Sequence, residues 1–551
     1  MKTLAIYLAL ALSASAANPV RAKQAMVVSR ESNATDAGLA ALKAGGNAVD
    51  AAVAVGMALA VTHPSAGNLG GGGFMLVRFA DGRTTFIDFR ERAPGKATRD
   101  MYLDASGKPT QDSVRGFRAS GVPGTVRGLE LAHKKYGHAN WNSLVQPAVK
   151  LARDGFQVTY GLASTLKGNR GIAEFPESKR IFQRGGKYYE PGEIFRQPEL
   201  AATLSRIAAD GGRDFYEGET AQRIAKEMAA GGGLITLEDL KNYTAVERKP
   251  LEGTYKGYKI ITAPPPSSGG VGILQMMGVL EKSGYEKSGA GSAAAIHFVA
   301  ESMRRYYADR AEYLGDPDFV KVPVTRLLDP RYISKLRESI DPAHATPSSQ
   351  VRAGDLTAYE SAETTHYSIV DKDGNAVAVT YTLNGGYGSG VTLPGLGFLW
   401  NNEMDDFSAK PGAPNMFGAI GGEANAIQPG KHPLSSMTPT IVLKDGKPFL
   451  VVGTPGGTRI LTSVMLTILN VLDFGMNVQD AVNAPRFHHQ WQPDRLQVEP
   501  GISPDTRALL EQRGHKVEIS RNICEMAVIQ FEDGWLAGAS DPRVEGKAAG
   551  Y

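Results

Sequence analysis

Glu363-Thr364-Thr365-His366-Tyr367-Ser368-Ile369-Val370 runs into Asp371-Lys372-Asp373-Gly374-Asn375 and returns as Ala376-Val377-Ala378-Val379-Thr380-Tyr381-Thr382-Leu383-Asn384. Two β-prone runs around Asp-Gly read as a hairpin, because a tight turn between twisted strands asks for positive φ, which these residues tolerate. Thr364 then opens one strand and Thr382 lies on the returning one. A threonine hydroxyl attacks poorly without a base beside it, and an internal threonine gains its own base only if the chain is cut before it. The stretch before it, Pro342 to Glu363, carries Ser348, Ser349, Gly354 and Thr357 with little apolar spacing and reads as an exposed polar loop.

The hairpin pattern recurs. Phe74 to Phe89 turns around Asp81-Gly82, Thr440 to Gly453 around Asp445-Gly446, and Met526 to Ala537 around Asp533-Gly534. Helical spacing fills the intervals. Asp36 to Val61 is alanine-rich, Val126 to Tyr136 and Trp141 to Gly155 are amphipathic, and Ala293 to Tyr313 carries Ile296, Val299, Met303 and Tyr307. Strands and helices that come in runs, without strict alternation, predict an α+β fold of antiparallel sheets layered with helices.

The whole chain narrows the function. Its 551 residues are 42% hydrophobic and 21% charged, which favours neither a disordered chain nor a membrane-spanning bundle. A formal charge of +3, with no basic run, gives no nucleic-acid footprint and leaves small molecules or peptides as partners. Met1-Lys2-Thr3, the apolar run Leu4 to Leu12 and Ser13-Ala14-Ser15-Ala16 form an export signal over residues 1–16, too short to span a bilayer. The expected destination is the periplasm, or secretion beyond it. Cys524 is the only cysteine, so an intrachain disulfide is impossible and thiol catalysis would rest on one residue.

Eight motifs in order carry a resemblance: Gly45-Gly46-Asn47-Ala48-Val49-Asp50-Ala51-Ala52, Gly67-Asn68-Leu69 with Gly70 to Gly73, Asp88-Phe89-Arg90-Glu91, Pro265-Pro266-Ser267-Ser268-Gly269-Gly270, Thr364-Thr365-His366-Tyr367-Ser368, Asn401-Asn402 through Asp406-Phe407, Pro433-Leu434-Ser435-Ser436-Met437, and Gly453-Thr454-Pro455-Gly456-Gly457. Together they make the chain similar, end to end, to the bacterial γ-glutamyltransferases (γ-glutamyl transpeptidases) of the N-terminal-nucleophile hydrolase superfamily. The resemblance implies a four-layer αββα sandwich made as one proenzyme. It would cut itself between Glu363 and Thr364 into a large subunit, 17–363, and a small one, 364–551, held as a heterodimer in one intertwined domain.

The same resemblance assigns the site. Thr364 is the nucleophile and, through its freed amine, the base; Thr382 hydrogen-bonds and supports it. Gly456 and Gly457 offer backbone N–H groups to the oxyanion, where glycine allows close approach. Arg90 clamps the donor's α-carboxylate with Ser435 and Ser436, while Asp406 receives the α-ammonium with Asn384 and Glu403 beside it. Glu403 replaces a glutamine found in some bacterial relatives, and a buried extra carboxylate needs compensation. Pro411 to Gly430 resembles a lid over the pocket, with Phe417 where several relatives have tyrosine. His366, two residues along the strand, takes a structural role. The implied reaction is hydrolysis of glutathione and other γ-glutamyl compounds, or γ-glutamyl transfer to amino-acid or peptide acceptors, without cofactor.

Two further patterns carry no chemistry by sequence. Gly70 to Gly73 lacks the Lys and Ser or Thr of a phosphate loop, and His488-His489 has neither helical nor finger spacing for a metal. The rival readings are a glutaryl-cephalosporin acylase or poly-γ-glutamate-processing relative, and an uncleaved γ-glutamyl-binding paralogue. Arg90, Asp406 and the lid segment favour the transferase over the first. Thr364, Thr382 and the glycine pair argue against the second.

Overall fold

A computed structural model of the chain describes residues 17–352, 364–410 and 422–551. Its centre is two seven-stranded sheets. In chain order the strands are β1 (Val20–Ala22), β2 (Met26–Ser29), β3 (Gly72–Arg78), β4 (Thr84–Phe89), β5 (Val246–Arg248), β6 (Leu251–Tyr255), β7 (Tyr258–Thr262), β8 (Thr365–Val370), β9 (Ala376–Thr382), β10 (Thr440–Lys444), β11 (Lys447–Gly453), β12 (Ala527–Glu532), β13 (Trp535–Ser540) and β14 (Lys547–Gly550). One sheet runs β1-β13-β12-β11-β10-β7-β6 and the other β14-β2-β8-β9-β3-β4-β5. Strands from before and after residue 364 therefore interleave in both sheets.

All four Asp-Gly hairpins form, as β3-β4, β8-β9, β10-β11 and β12-β13. Their turns are of two kinds. Asp445-Gly446 (φ 51° and 76°) and Asp533-Gly534 (φ 49° and 76°) are two-residue turns with both residues left-handed. Asp81-Gly82 and Asp373-Gly374 instead lie in longer loops, where only the glycines have positive φ. A fifth hairpin, β6-β7, turns on Lys256-Gly257.

The helices used below are α1 (Ser32–Lys43), α2 (Ala48–Thr62), α3 (Thr125–Tyr136), α4 (Trp141–Asp154), α5 (Gly269–Leu280), α6 (Ala293–Tyr313) and α7 (Arg459–Leu472). The alanine-rich pattern from Asp36 to Val61 is thus two helices. Gly45 at φ 94° reverses the chain, and Asn47 caps α2 by accepting from Val49 and Asp50 N–H while Asp50 accepts from Asn47 N–H. Helices α1 to α4 cover one face of the β8-β9 sheet, burying Tyr367, Ile369, Val377 and Val379. The alternate residues Val370, Ala376 and Ala378 face the second sheet, whose outer side is covered by α5, α6 and α7. The result is the expected αββα layering.

Both faces of β8 and β9 are buried, so their polar side chains must be paired internally. Ser368 Oγ donates to Ala527 O at 3.0 Å, and His366 Nδ1 lies 2.8 Å from Thr380 Oγ1. The loop expected to be exposed before Thr364 is partly anchored instead. Ser348 is buried, and Trp491 Nε1 donates to Ser348 O (2.8 Å) and Val351 O (2.9 Å). Glu363 lies outside the described residues.

Candidate active site

Register brings the two threonines together. Thr365 pairs with Tyr381 in the β8-β9 ladder, so Thr364 falls beside Thr382. The Thr364 hydroxyl donates to Thr382 Oγ1 at 3.4 Å, and Thr382 Oγ1 also accepts Asn384 N–H at 2.8 Å. Thr364 stands just ahead of β8 and is buried. Asn384 is left-handed (φ 73°), a conformation asparagine tolerates, and its Nδ2 donates to Asn402 O at 2.9 Å. His366 faces elsewhere: Nε2 lies 3.1 Å from Ser368 Oγ, and burial holds its pKa down to about 3, leaving the ring neutral.

The glycine run packs against this hairpin. A side chain at Gly71 would place Cβ 2.0 Å from Thr382 O. Asn68 Nδ2 donates to that same oxygen at 2.8 Å, which fixes the end of β9.

Arg90 follows β4 and is fully buried. Its Nε donates to Pro433 O at 3.2 Å, Nη1 to Glu403 Oε1, and Nη2 to Asp406 Oδ2 (2.6 Å) and Leu434 O (3.3 Å). Glu91 Oε2 is 3.5 Å from Nη1, so three carboxylates surround one cation. Burial disfavours the guanidinium charge, but Glu403, Glu91 and Asp406 outweigh it and raise its pKa. Burial pushes Glu403 up to about 8 and Glu91 up to about 7 against the pull of Arg90.

These groups line one small cavity of about 20 Å³: Arg90, Glu403 and Asp406 on one side, Thr364, Thr382 and Asn384 on another, and Ser435, Ser436 and Gly457 closing it. Met437 and Ile460 complete the wall; Met437 closes the Pro433-to-Met437 motif, while no sequence signal pointed to Ile460 as part of a site. Gly456 stands next to Gly457 with φ 138°. A Cβ there would lie 2.1 Å from Cys524 Sγ, so the close packing of this loop requires glycine. Burial raises the Cys524 thiol to about 11, which keeps it protonated.

The described part of the segment read as a lid is tied down. Asn425 Nδ2 donates to Asp406 O at 2.6 Å, and its Oδ1 accepts Leu434 N–H at 3.0 Å, so Asn425 holds both flanks of the Arg90 pocket. Phe417 lies outside the described residues. Asp316, Asp318 and His432 form the one group among the described residues with metal-ligand spacing. Its atoms are engaged: Asp318 pairs with Arg248, Asp316 accepts His432 N–H, and His432 Nε2 accepts from Arg92.

The sequence profile of the family described as Gamma-glutamyltranspeptidase matches residues 34–551. The chain belongs to the γ-glutamyltranspeptidase family. Among relatives of this γ-glutamyltranspeptidase family member, the glutathione hydrolase proenzyme of Escherichia coli (strain K12) is 55% identical, across 97% of this chain and 93% of that protein. A crystal structure of cephalosporin acylase from Bacillus halodurans superposes with a TM-score of 0.85 at 28% identity, covering 98% of this chain and 97% of that one. A Helicobacter pylori γ-glutamyltranspeptidase structure gives 0.58 at 46% identity, covering 59% of this chain and 94% of that one. Proteins named for both activities weighed from the sequence are thus among those this chain resembles.

Proposed function

We propose that this chain is a γ-glutamyltransferase and glutathione hydrolase that matures by cutting itself before Thr364. One observation carries the donor assignment: the pocket at Thr364 contains both a buried cation, Arg90, and the carboxylate Asp406, the complements of an α-carboxylate and an α-ammonium. A glutaryl donor, which lacks the amine, has no use for the second.

In the precursor, Thr364 Oγ attacks the Glu363 carbonyl carbon, the Glu363–Thr364 C–N bond breaks, and water cleaves the resulting ester. The fragments are 17–363 and 364–551, whose strands alternate within both sheets, so the heterodimer survives the cut. The freed α-amine, with an unperturbed pKa of about 8, then takes the hydroxyl proton. Thr364 Oγ attacks the donor's γ-carbonyl carbon, and the Gly456 and Gly457 N–H groups stabilise the oxyanion. The C–N bond breaks as the Thr364 ammonium returns its proton to the leaving amine. Water or an amino-acid or peptide acceptor then attacks the γ-glutamyl ester.

The Arg90 donors are all directed at protein acceptors, and the cavity is too small for a glutamyl group. A donor therefore enters by exchange. Its carboxylate takes Arg90 Nη2 with Ser435 and Ser436, and its ammonium takes the released Asp406, with Asn384 and Glu403 beside it. Residues 1–16 act as the export signal, placing the enzyme in the periplasm or outside the cell. No helix among the described residues is long and apolar enough to cross a membrane.

The test is p-nitroaniline release from γ-glutamyl- and glutaryl-p-nitroanilide, with and without a dipeptide acceptor. Preference for the γ-glutamyl donor supports the proposal, and preference for the glutaryl donor supports the acylase reading.

A further inference from the structure

Lys431, two residues before the Pro433-to-Met437 motif, is fully buried, which a lysine rarely is unless its charge is paired. Its ammonium grips main chain. Nζ donates to Ala424 O at 2.8 Å and to Ala426 O at 3.0 Å, the two carbonyls that flank Asn425. Buried Asp316 lies near enough to favour the charge that burial disfavours. The Asp316 carboxylate accepts His432 N–H at 2.8 Å, so the counter-charge is tied to the residue next to the cation.

The segment so gripped is zipped to the residues around Asp406. Ser408 N–H donates to Asn425 O at 2.9 Å, and Ser408 and Ala426 form an isolated parallel bridge. Asn425 is only 4% exposed. Its Nδ2 reaches Asp406 O on one side, and its Oδ1 takes Leu434 N–H on the other. Pro433 O and Leu434 O in turn accept from Arg90. One amide therefore spans the wall that carries Asp406 and the wall that carries Arg90 and Ser435. With the carbonyls before and after it pinned by Lys431, Asn425 has a fixed backbone from which to span that gap.

We infer that Lys431, acting through Asn425, is a positioning residue that sets the spacing between Asp406 and the wall of Arg90 and Ser435, and with it the fit of a donor that carries both charges. The inference rests on the reading that Asp406 receives the donor's α-ammonium. Thr364 stands just ahead of β8, and the Gly456-Gly457 loop follows β11. The attack is therefore built on other elements, and Lys431 governs how the zwitterion is held. A glutaryl donor uses one wall only and is less sensitive to the spacing.

The experiment measures KM and kcat of the purified enzyme with γ-glutamyl- and glutaryl-p-nitroanilide. Lys431→Met removes the ammonium and keeps most of the side-chain volume. It should raise KM for the γ-glutamyl donor about tenfold and for the glutaryl donor by about threefold at most, with kcat for both within about twofold of wild type. Asn425→Ala should do the same, and the double variant should be no worse than Asn425→Ala alone, because one residue acts through the other. A melting temperature that falls while both KM values stay at wild type would make Lys431 a packing residue and overturn the inference. Additive losses in the cycle, or an equal rise on the two donors, would overturn it as well. If Lys431→Met does not mature, Lys431→Gln, which can still donate to one of the two carbonyls, carries the comparison, with an expected rise of about threefold confined to the γ-glutamyl donor. Asp406→Asn separates the two levels. Wild-type selectivity between the donors in Asp406→Asn sinks the reading beneath; selectivity lost there but kept in the Lys431 variants sinks only the inference.

Discussion

Arg90 Nη2 and Asp406 Oδ2 are bonded to each other at 2.6 Å, so the cation and anion proposed for opposite ends of the donor's zwitterion form one ion pair, buried at Arg90 and partly exposed at Asp406. A zwitterion entering this pair replaces one set of charge-assisted bonds with two. Breaking the pair without replacement would strand charge in a buried site, which is costly. On the proposed reading, the pocket favours an acyl group that brings both charges.

Asp406→Asn removes the ammonium's partner while leaving an amide oxygen for Arg90. Hydrogen bonds to charged groups contribute roughly 1.5–3 kcal/mol, so kcat/KM for γ-glutamyl-p-nitroanilide should fall by one to two decades. Turnover of the glutaryl analogue should change by less than about threefold, because it brings no ammonium. Equal losses in steady-state assays of the two donors would contradict the assignment.

Glu403 makes the stability of the buried Arg90 cluster depend on pH. Burial raises its pKa to about 8, so its stabilising contribution is present below the ordinary carboxyl range and is lost as pH rises through about 8. Glu403→Gln keeps the oxygen facing Arg90 and removes the titration. Thermal melts should show wild type losing more stability than the variant between pH 6 and pH 9, by on the order of 2 °C. Parallel melting curves would show that Glu403 does not titrate there.

Gly456→Ala forces a side chain at φ 138° into Cys524 Sγ. The displaced loop should lose oxyanion stabilisation, lowering kcat by about a hundredfold or more with KM for the donor little changed. A variant with wild-type kcat would remove Gly456 from the acylation step.

Thr382 is the nearer test of the nucleophile's setting. Its Oγ1 accepts from both Thr364 and Asn384 N–H, so Thr382→Ala frees the Thr364 hydroxyl from its partner. Maturation should slow from the wild-type rate by about tenfold or more when followed by denaturing electrophoresis, and Thr382→Ser should restore most of it. Unchanged processing in both variants would make Thr382 a plain strand residue.

What was legible from sequence follows from the range of the signal. Asp-Gly turns are local, and all four hairpins form, although the Asp81-Gly82 and Asp373-Gly374 turns are longer loops than the tight turn read for them. The β6-β7 hairpin escaped because Lys256, not Asp or Asn, takes the left-handed position before Gly257. The break between α1 and α2 was written in Gly45-Gly46-Asn47, but alanine spacing on both sides masked it. The site was reachable only through motifs, because its contacts are long-range: Arg90 and Glu403 are 313 positions apart. Asn425 and Ile460 stayed hidden because asparagine in a glycine- and proline-rich loop, and isoleucine at a helix start, have ordinary local explanations. Ser348 was misread because its burial depends on Trp491, far along the chain.

The central claim is that Thr364 becomes an N-terminus. N-terminal sequencing of the smaller fragment of the purified protein tests it most directly. The expected sequence begins Thr364-Thr365-His366-Tyr367-Ser368; a different first residue, or an uncut chain that still turns over a γ-glutamyl donor, would contradict it.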